Sequence, residues 1–315
     1  MKILITGGCG YKGSVLIPRL LNEGNKVVNV DTQWFGDNLE KHPNLENIKI
    51  DIRDLSNLNL AGIDSVIHLA NVANDPAVDL NPNLSWEINV LAGYQLIDKA
   101  IREGVKQFIY ASSGSVYGVK EEKNVTEDLS LVPISVYNKT KMIAERVFLS
   151  YKDKIQVHCI RPATVCGLSP RMRLDVSVNL LTYQALKNGI ITVYGGKQTR
   201  PNIHIDDMVD VYLHFLKNPN ILSGCYNAGF ENISILEIAE IIKSVVPAEI
   251  RVMESNDPRS YRQDSSKLIS TGFKPRKKIY DAIIEITNAY KKGNIKESSN
   301  CYTVKKMIEL QLGKF

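Results

Sequence analysis

Residues 5–13 read ITGGCGYKG, in which glycines follow a short apolar run and precede apolar residues at helical spacing. This order places the glycines at a turn between a first strand and a first helix. Glycines at such a turn allow a tight bend and let backbone N–H groups approach a pyrophosphate, which the positive end of the helix also attracts. The turn therefore predicts a dinucleotide site with contacts from Gly7, Gly10, Tyr11 and Gly13.

The rest of the first half repeats this alternation of strands and helices. Runs rich in β-branched residues predict strands at residues 3–6, 26–31, 47–50, 65–69, 107–112 and 155–161. Apolar residues three and four apart predict helices at residues 11–22, 84–103 and 136–150. Nearly continuous apolar strands separated by helices are typical of sheets covered on both faces, so we expect an α/β fold with a Rossmann-type doubly wound parallel sheet.

The second half is less regular and is punctuated by glycine and proline. Short helices are predicted at residues 176–187, 206–215, 235–244 and 279–290. No Ser-rich or Pro-rich linker separates the halves, so the C-terminal part is expected to pack on the sheet and close a cleft. We divide the chain into a cofactor-binding Rossmann domain that also contributes catalytic residues (1–165), a smaller, mainly substrate-binding lobe (166–290) and a tail (291–315).

Composition excludes several classes of protein. The 315 residues are 44% hydrophobic, and no stretch approaches the roughly 18 apolar residues of a membrane span. The chain opens without a signal-peptide pattern, which favours a cytoplasmic protein. The 39 basic residues are mixed with 34 acidic ones, too evenly for a nucleic-acid surface. Five widely spaced cysteines without a C-x-x-C pair predict free thiols and imply no metal.

A carboxylate ends the second predicted strand. Asp31 can accept hydrogen bonds from both adenosine ribose hydroxyls, and its charge repels a 2′-phosphate. No arginine lies at residues 32–36 to reverse that preference, so the sequence favours NAD over NADP. His68 is either close to the cofactor or a core histidine. Further cofactor contacts are expected where the third and fourth strands end, from Asp51, Ile52, Leu69 and Ala70.

The candidate catalytic residues lie at and after the fifth strand. Tyr137 and Lys141 are four residues apart and share one helix face, while Ser113 follows the strand directly. A nearby ammonium favours phenolate, so the pKa of Tyr137 is expected to fall from its free value of about 10 toward the operating pH. Tyr137 is then a general base.

In this combination the chain resembles the extended short-chain dehydrogenase/reductase family, in particular its nucleotide-sugar epimerase and dehydratase branch. The resemblance spans roughly residues 1–290: the family's T-G-x-x-G-x-x-G motif falls on Thr6 to Gly13, and its Y-x-x-x-K motif on Tyr137 and Lys141. It implies that Lys141 and Tyr137 also contact the cofactor, Lys141 at the nicotinamide ribose, and that Ser113 holds the substrate hydroxyl. It also implies a homodimer formed through two of the predicted helices, residues 84–103 and 136–150.

The resemblance extends to the substrate side. Residues 161–167 correspond to a family segment in which asparagine and tyrosine are replaced here by threonine and cysteine. Arginine suits a diphosphate because its planar fork donates two parallel charge-assisted bonds. For Arg171 and Arg173, a surface position and a site position are both left open. The substrate contacts implied by the resemblance are Ser113, Thr164, Asn179, Arg200, Arg259 and Arg262.

One departure concerns the reaction type. Relatives that eliminate water carry an Asp-Glu pair directly after the catalytic serine or threonine, where this chain has Gly114 and Ser115. We therefore expect an NAD-dependent nucleotide-sugar 4-epimerase that works through a transient 4-keto intermediate. A C4 dehydrogenase or a 4-keto-sugar reductase would use the same residues. The non-enzyme alternative is an NAD-binding redox sensor, which would not need Ser113, Tyr137 and Lys141 together.

Overall fold

The computed structural model describes residues 1–255 and 260–313. Its strands are β1 (Lys2–Thr6), β2 (Lys26–Asp31), β3 (Leu45–Lys49), β4 (Ser65–His68), β5 (Gln107–Ala111), β6 (Gln156–Pro162), β7 (Thr164–Cys166), β8 (Ile190–Tyr194), β9 (Thr199–His204), β10 (Gly224–Ala228), β11 (Glu231–Ser234) and β12 (Glu249–Met253). Seven of them form one parallel sheet in the order β10-β6-β5-β4-β1-β2-β3. The strand order reverses between β1 and β4, the place where doubly wound sheets open a crevice for ligands.

The helices of the structure include those that cover the two faces of this sheet. They are α1 (Gly13–Asn22), α2 (Asp75–Leu80), α3 (Pro82–Trp86), α4 (Gly93–Arg102), α5 (Val136–Leu149), α6 (Ser177–Asn188), α7 (Ile205–Lys217), α8 (Ile235–Val245), α9 (Ser266–Ser270), α10 (Ile279–Lys291) and α11 (Thr303–Glu309). A π-helical turn, Glu87–Ala92, joins α3 to α4. Within β1, Leu4 packs into the cluster that includes α4 and α5 residues, whereas Ile3 and Ile5 pack into the cluster of α1 and α7. The strands read as continuous apolar runs because both faces are buried.

The second half adds two small sheets, in the orders β11-β9-β7 and β12-β8. Helices α6, α8 and α10 surround a separate apolar cluster beside them. The doubly wound fold is confirmed, and each of the six predicted strands is present. The chain nevertheless returns to the large sheet after residue 165, because β10 pairs with β6 and α7 packs on the sheet. The three-part division of the chain stays a prediction.

Two expectations from composition can be compared with the structure. All five cysteines are buried free thiols, as predicted. Within residues 1–255 and 260–313, no helix combines the length and apolar character needed to cross a membrane.

Candidate functional site

A cavity of about 960 Å³ opens at the carboxyl ends of β1, β2, β4 and β5 and extends to the second half of the chain. Most of the predicted site residues line it, although they come from distant parts of the sequence. The predicted residues on its wall are Gly7, Gly10, Tyr11, Gly13, Asp31, Asp51, Ile52, Leu69, Ala70, Ser113, Tyr137, Thr164 and Arg200.

The glycine turn is closely packed. Gly7 has φ +76°, and a Cβ there would lie 2.7 Å from Ala70 Cα. A Cβ on Gly13 would lie 2.4 Å from Gly8 Cα, so only glycine allows the helix to approach the turn. In the part of the chain that the structure describes, the backbone N–H groups of Tyr11 and Lys12 have no hydrogen-bond acceptor. These donors precede α1 and line the cavity, an arrangement that fits a diphosphate.

Asp31 is tied to the backbone on both sides. Its carboxylate accepts hydrogen bonds from Cys9 N at 2.9 Å and from Gln33 N at 2.7 Å. Burial raises the pKa of Asp31, an effect that these two hydrogen bonds oppose. The side chain therefore fixes the glycine turn as well as lining the cavity, a double role that the sequence did not predict.

The other predicted cofactor contacts differ in their surroundings. Asp51 is held by Arg53, whose Nη2 lies 2.8 Å from Oδ2, and the same guanidinium contacts Glu87 at 2.7 Å. His68 is a core histidine: it is fully buried, and its Nδ1 lies 2.7 Å from Thr6 Oγ1. Burial lowers the pKa of His68 to about 3, so it is neutral at physiological pH.

Tyr137 lies in the first turn of α5, where it contacts Ser113 through a side-chain hydrogen bond. The expected fall in its pKa is wrong for this structure. Burial raises the pKa of Tyr137 to about 12, and the hydrogen bond from Ser113 opposes the rise only in part. The loss of water around the buried phenol, which residue spacing does not reveal, raises the pKa of Tyr137 more than nearby positive charge lowers it.

Lys141 lies behind Tyr137 and is buried. Its Nζ donates to the carbonyl oxygen of Ala111 at 2.6 Å and lies 5.8 Å from the centre of the Tyr137 ring. Burial lowers the pKa of Lys141 well below its usual value, and the charge of Lys12 lowers it further. Lys141 is not on the cavity wall in this structure, and its contact with the nicotinamide ribose stays a prediction.

Ser113 is positioned by the strand end that carries it. Its Oγ lies 2.7 Å from Ser115 Oγ and accepts a hydrogen bond from Ser115 N at 3.2 Å. The preceding Ser112 donates to Glu145 at 2.5 Å, and Glu145 forms a buried ion pair of 2.8 Å with Arg161. This network joins β5, α5 and β6 behind the two catalytic side chains.

The wall also carries an acidic residue beside Tyr137 that was missed in the sequence. Asp75 lines the cavity, and its carboxylate accepts a hydrogen bond from Ser135, the residue that caps α5 next to Tyr137. The preceding residue, Asn74, has φ +75°, an uncommon backbone conformation for a residue other than glycine. The Asn-Asp-Pro stretch at residues 74–76 reads locally as a helix start, so only the fold reveals that the carboxylate lies beside the base.

Several cations on the wall complete the site. Lys12 has no anionic partner within 4.0 Å among the described residues, and burial, with the charge of Arg173, lowers its pKa to about 8. Arg171 lies 4.0 Å from the centre of the Phe35 ring, while Arg173 contacts Asp175 at 2.7 Å. The structure thus places both arginines in the site, the alternative that the sequence left open. Lys12 was missed because it lies within the glycine motif.

Two of the predicted substrate contacts, Asn179 and Arg262, are not on the wall. Asn179 is fully buried: its Oδ1 accepts from Gly167 N at 3.0 Å, and its Nδ2 donates to the Tyr11 hydroxyl at 3.0 Å. In the structure Asn179 holds Tyr11, and its diphosphate contact stays a prediction. Arg262 has an exposed side chain outside the cavity, and its clamp role stays a prediction. Arg259 lies outside the described residues.

One group of possible metal ligands lies away from the cavity. It consists of His204, Asp206 and Glu285, whose ligand atoms lie within 4.8 Å of one another. Lys277 already contacts this group, with its Nζ 2.6 Å from Asp206 and 2.5 Å from Glu285. The ammonium supplies the positive charge that these carboxylates need.

The model of the NAD dependent epimerase/dehydratase family matches residues 3–229. The chain belongs to this family. It is therefore an NAD-dependent enzyme, and the family-level expectation from the motifs is confirmed. UDP-glucose 4-epimerase of Lactobacillus helveticus is 27% identical over 314 residues, covering 90% of this chain and 95% of that protein. UDP-glucuronic acid decarboxylase 6 of Arabidopsis thaliana is 30% identical over 305 residues, covering 90% and 87%.

Solved structures of this family also match the fold. UDP-glucuronic acid 4-epimerase from Bacillus cereus, in complex with UDP-glucuronic acid and NAD, superposes with a TM-score of 0.81 and 29% identity. The match covers 93% of this chain and 99% of that one. In the present chain, the closely packed glycine turn, its unpaired amides and the carboxylate of Asp31 are the features that fit NAD.

Proposed function

We propose that this member of the family is a nucleotide-sugar 4-epimerase. The observation that carries the proposal is that Ser113 and Tyr137 line the same cavity as the glycine turn and Asp31. The predicted cofactor site and the catalytic base therefore lie in one cavity. Its volume of about 960 Å³ is at the upper end of the range of roughly 300–1,000 Å³ that is usual for small-molecule sites. Relatives named as 4-epimerases, in Lactobacillus helveticus and Bacillus cereus, support the same reaction.

Each catalytic residue has a distinct task in this reaction. NAD, held by the glycine turn and Asp31, would supply the hydride chemistry at C4, as acceptor in the oxidation and as donor to the other face of the sugar carbonyl in the reduction. Tyr137 takes the proton of the C4 hydroxyl and later gives it back, while Ser113 holds the same oxygen. Lys141, buried behind them, orients the nicotinamide ribose and provides positive charge near the phenol.

The cations on the wall suit the other half of the substrate. Arg200 and Thr164 line the cavity on the side of the second lobe, where a nucleotide diphosphate would lie. Lys12 in the glycine turn, together with Arg171 and Arg173, adds positive charge to the wall of the same cavity. Two diphosphates, one from NAD and one from the sugar nucleotide, would balance these charges.

Oxidation without epimerisation is the nearest alternative. A C4 dehydrogenase or a 4-keto-sugar reductase would use Ser113, Tyr137 and Lys141 in the same way but would exchange NAD for NADH at each turnover. The redox-sensor alternative gains no support, because a protein that only senses NAD does not need a base held against a serine.

The test is product analysis after incubation with a panel of UDP-, GDP-, CDP- and dTDP-sugars. Mass spectrometry and NMR should show a product of unchanged mass with an inverted C4 proton coupling. A product lighter by two hydrogens would instead establish a dehydrogenase, and loss of carbon dioxide would establish a decarboxylase, the activity for which the Arabidopsis relative is named.

Loss of water is not expected. Elimination needs one group to take the C5 proton and another to protonate the leaving oxygen. Gly114 has no side chain, and Ser115 is too weak an acid or base at neutral pH to replace a carboxylate. A product lighter by one water would contradict the epimerase proposal and would direct attention to Asp75, the carboxylate next to Ser135.

A further inference from the structure

The C-terminal tail is part of the cavity wall. After α10 the chain passes through a 3₁₀ turn, Ser299–Cys301, and enters α11. Five tail residues line the same cavity as Asp31 and Tyr137: Tyr302, Thr303, Val304, Lys305 and Met307. No sequence pattern indicates a role for this segment, and the family match at residues 3–229 does not reach it.

Thr303 attaches the tail to the loop before α6. Its backbone N donates to the Asp175 carboxylate at 2.8 Å, and its Oγ1 accepts from Arg171 at 3.3 Å. Just before these residues in the chain, Leu174 N donates a hydrogen bond to Cys301 O at 2.9 Å. The guanidinium of Arg171 also covers the ring of Phe35, so the attachment extends to the loop that follows Asp31.

Apolar packing attaches the next turn. Met307 is 1% exposed and belongs to the core cluster that contains Ile52 and Val72, both of which line the cavity. Beyond α11, the carbonyl oxygen of Leu312 accepts from Asn81 Nδ2 at 3.3 Å. The start of the tail is therefore held beside Phe35 and Gly36, in the loop that follows Asp31, while α11 packs against α2.

Helix α11 depends on these contacts. It has seven residues, and isolated helices shorter than about 12–15 residues are marginal in water. Such a segment opens at a lower free energy than the whole domain. Opening of the tail would expose the half of the cavity next to Asp31 without unfolding the sheet.

We propose that residues 299–312 form the outer wall of the adenosine half of the NAD site and limit the rate at which NAD leaves. The inference rests on the proposed function, because an epimerase must keep the same cofactor between oxidation and reduction. The residues that perform this role are Thr303, Val304 and Met307, with Arg171 and Asp175 as their partners on the body of the protein.

The test is the dissociation rate of isotopically labelled NAD from the full-length protein, chased with unlabelled NAD in the absence of sugar. Met307→Ala removes buried contacts of α11, so the tail should open more often and NAD release should accelerate by about tenfold or more. Ile308→Ala is the matched control: Ile308 is the next residue of the same helix but is 58% exposed, so release should be unchanged. Equal release rates for Met307→Ala and the wild type would overturn the proposal.

Hydrogen exchange of the wild-type protein provides a second measurement that needs no variant. The amides of residues 299–312 should exchange more slowly when NAD alone is added. Protection by a sugar nucleotide but not by NAD would contradict the proposal. Because neither measurement uses turnover, an enzyme that makes no epimer but shows both effects would lose the proposed function and keep the role of the tail.

Discussion

Lys141 Nζ lies 5.8 Å from the centre of the Tyr137 ring and donates its hydrogen bond to Ala111 at the end of β5. Burial disfavours the charged form of both side chains, raising the pKa of Tyr137 to about 12 and lowering that of Lys141. The phenolate of Tyr137 is therefore expected only when further positive charge enters the cavity, as it does with the nicotinamide ring of NAD⁺.

Replacement of Tyr137 by phenylalanine should lower kcat by roughly 10²–10⁴-fold, the usual contribution of a general base, and leave sugar-nucleotide binding nearly unchanged. Steady-state kinetics and calorimetric binding measure the two effects separately. Tyr183→Phe is the control, because that phenol contacts Glu297 outside the cavity. A fully active Tyr137→Phe enzyme would place the reaction elsewhere.

Asp31→Asn should weaken NAD binding and reduce discrimination against NADP, because the site loses the charge that repels a 2′-phosphate. Asparagine keeps one oxygen as an acceptor for Cys9 N or Gln33 N, so the glycine turn suffers less than with alanine. Dissociation constants for both cofactors give the result. Asp79→Asn, at an exposed carboxylate on α2 off the cavity wall, should change neither constant. If the wild type binds NADP as tightly as NAD, Asp31 does not select the cofactor.

Stability should decline with acid because of His68. Its pKa is about 6.5 when unfolded and about 3 in the folded protein, so folding favours the neutral ring. The resulting stabilisation is complete above pH 6.5, the pKa of the unfolded state, and is lost as the pH falls from there toward the folded-state pKa of about 3. Urea unfolding across this range should show a slope approaching about 1.4 kcal/mol per pH unit for this one proton.

His68→Asn should flatten that slope, since the side chain no longer titrates. His158 contributes in the same direction, because burial lowers its pKa to about 4. An unchanged slope in His68→Asn would mean that the ring is not neutral in the folded state.

The expected homodimer stays a prediction, and the surface of the segment from α3 to α4 supports it. Trp86, Leu91 and Tyr94 are 38%, 51% and 42% exposed there, and Ile143 on α5 is 36% exposed. Large apolar side chains grouped on a surface are typical of protein interfaces. Leu91→Glu should give a monomer by light scattering, whereas Leu222→Glu, at an 81% exposed position, should not. A monomeric wild type at micromolar concentration would refute the prediction.

The sequence was sufficient where the physical cause is local. The glycine turn, Asp31 and the alternating strands and helices follow from short-range patterns, and the structure places them as expected. It was insufficient where a role depends on the orientation of a side chain in the fold or on its exposure to water. Asn179 matches a motif but faces Tyr11, and the pKa of Tyr137 depends on burial that no spacing reveals.

Residues on the cavity wall that belong to no sequence motif were missed because only the packing of helices brings them there. Asp75 and Met307 have ordinary neighbours in the sequence; Asp75 meets the site because α2 packs against α5, and Met307 because α11 packs against α2. A contact between segments more than 200 residues apart has no local signature.

The late strand β10 has a consequence for synthesis of the chain. It covers the edge of β6, so a nascent chain that has emerged only as far as residue 223 presents β6 as an open strand edge, with its N–H and C=O groups available to other chains. The sheet that binds the cofactor is therefore not complete until most of the protein has left the ribosome. Pausing before that point would favour aggregation, and chaperone binding to emerging chains should be strongest there.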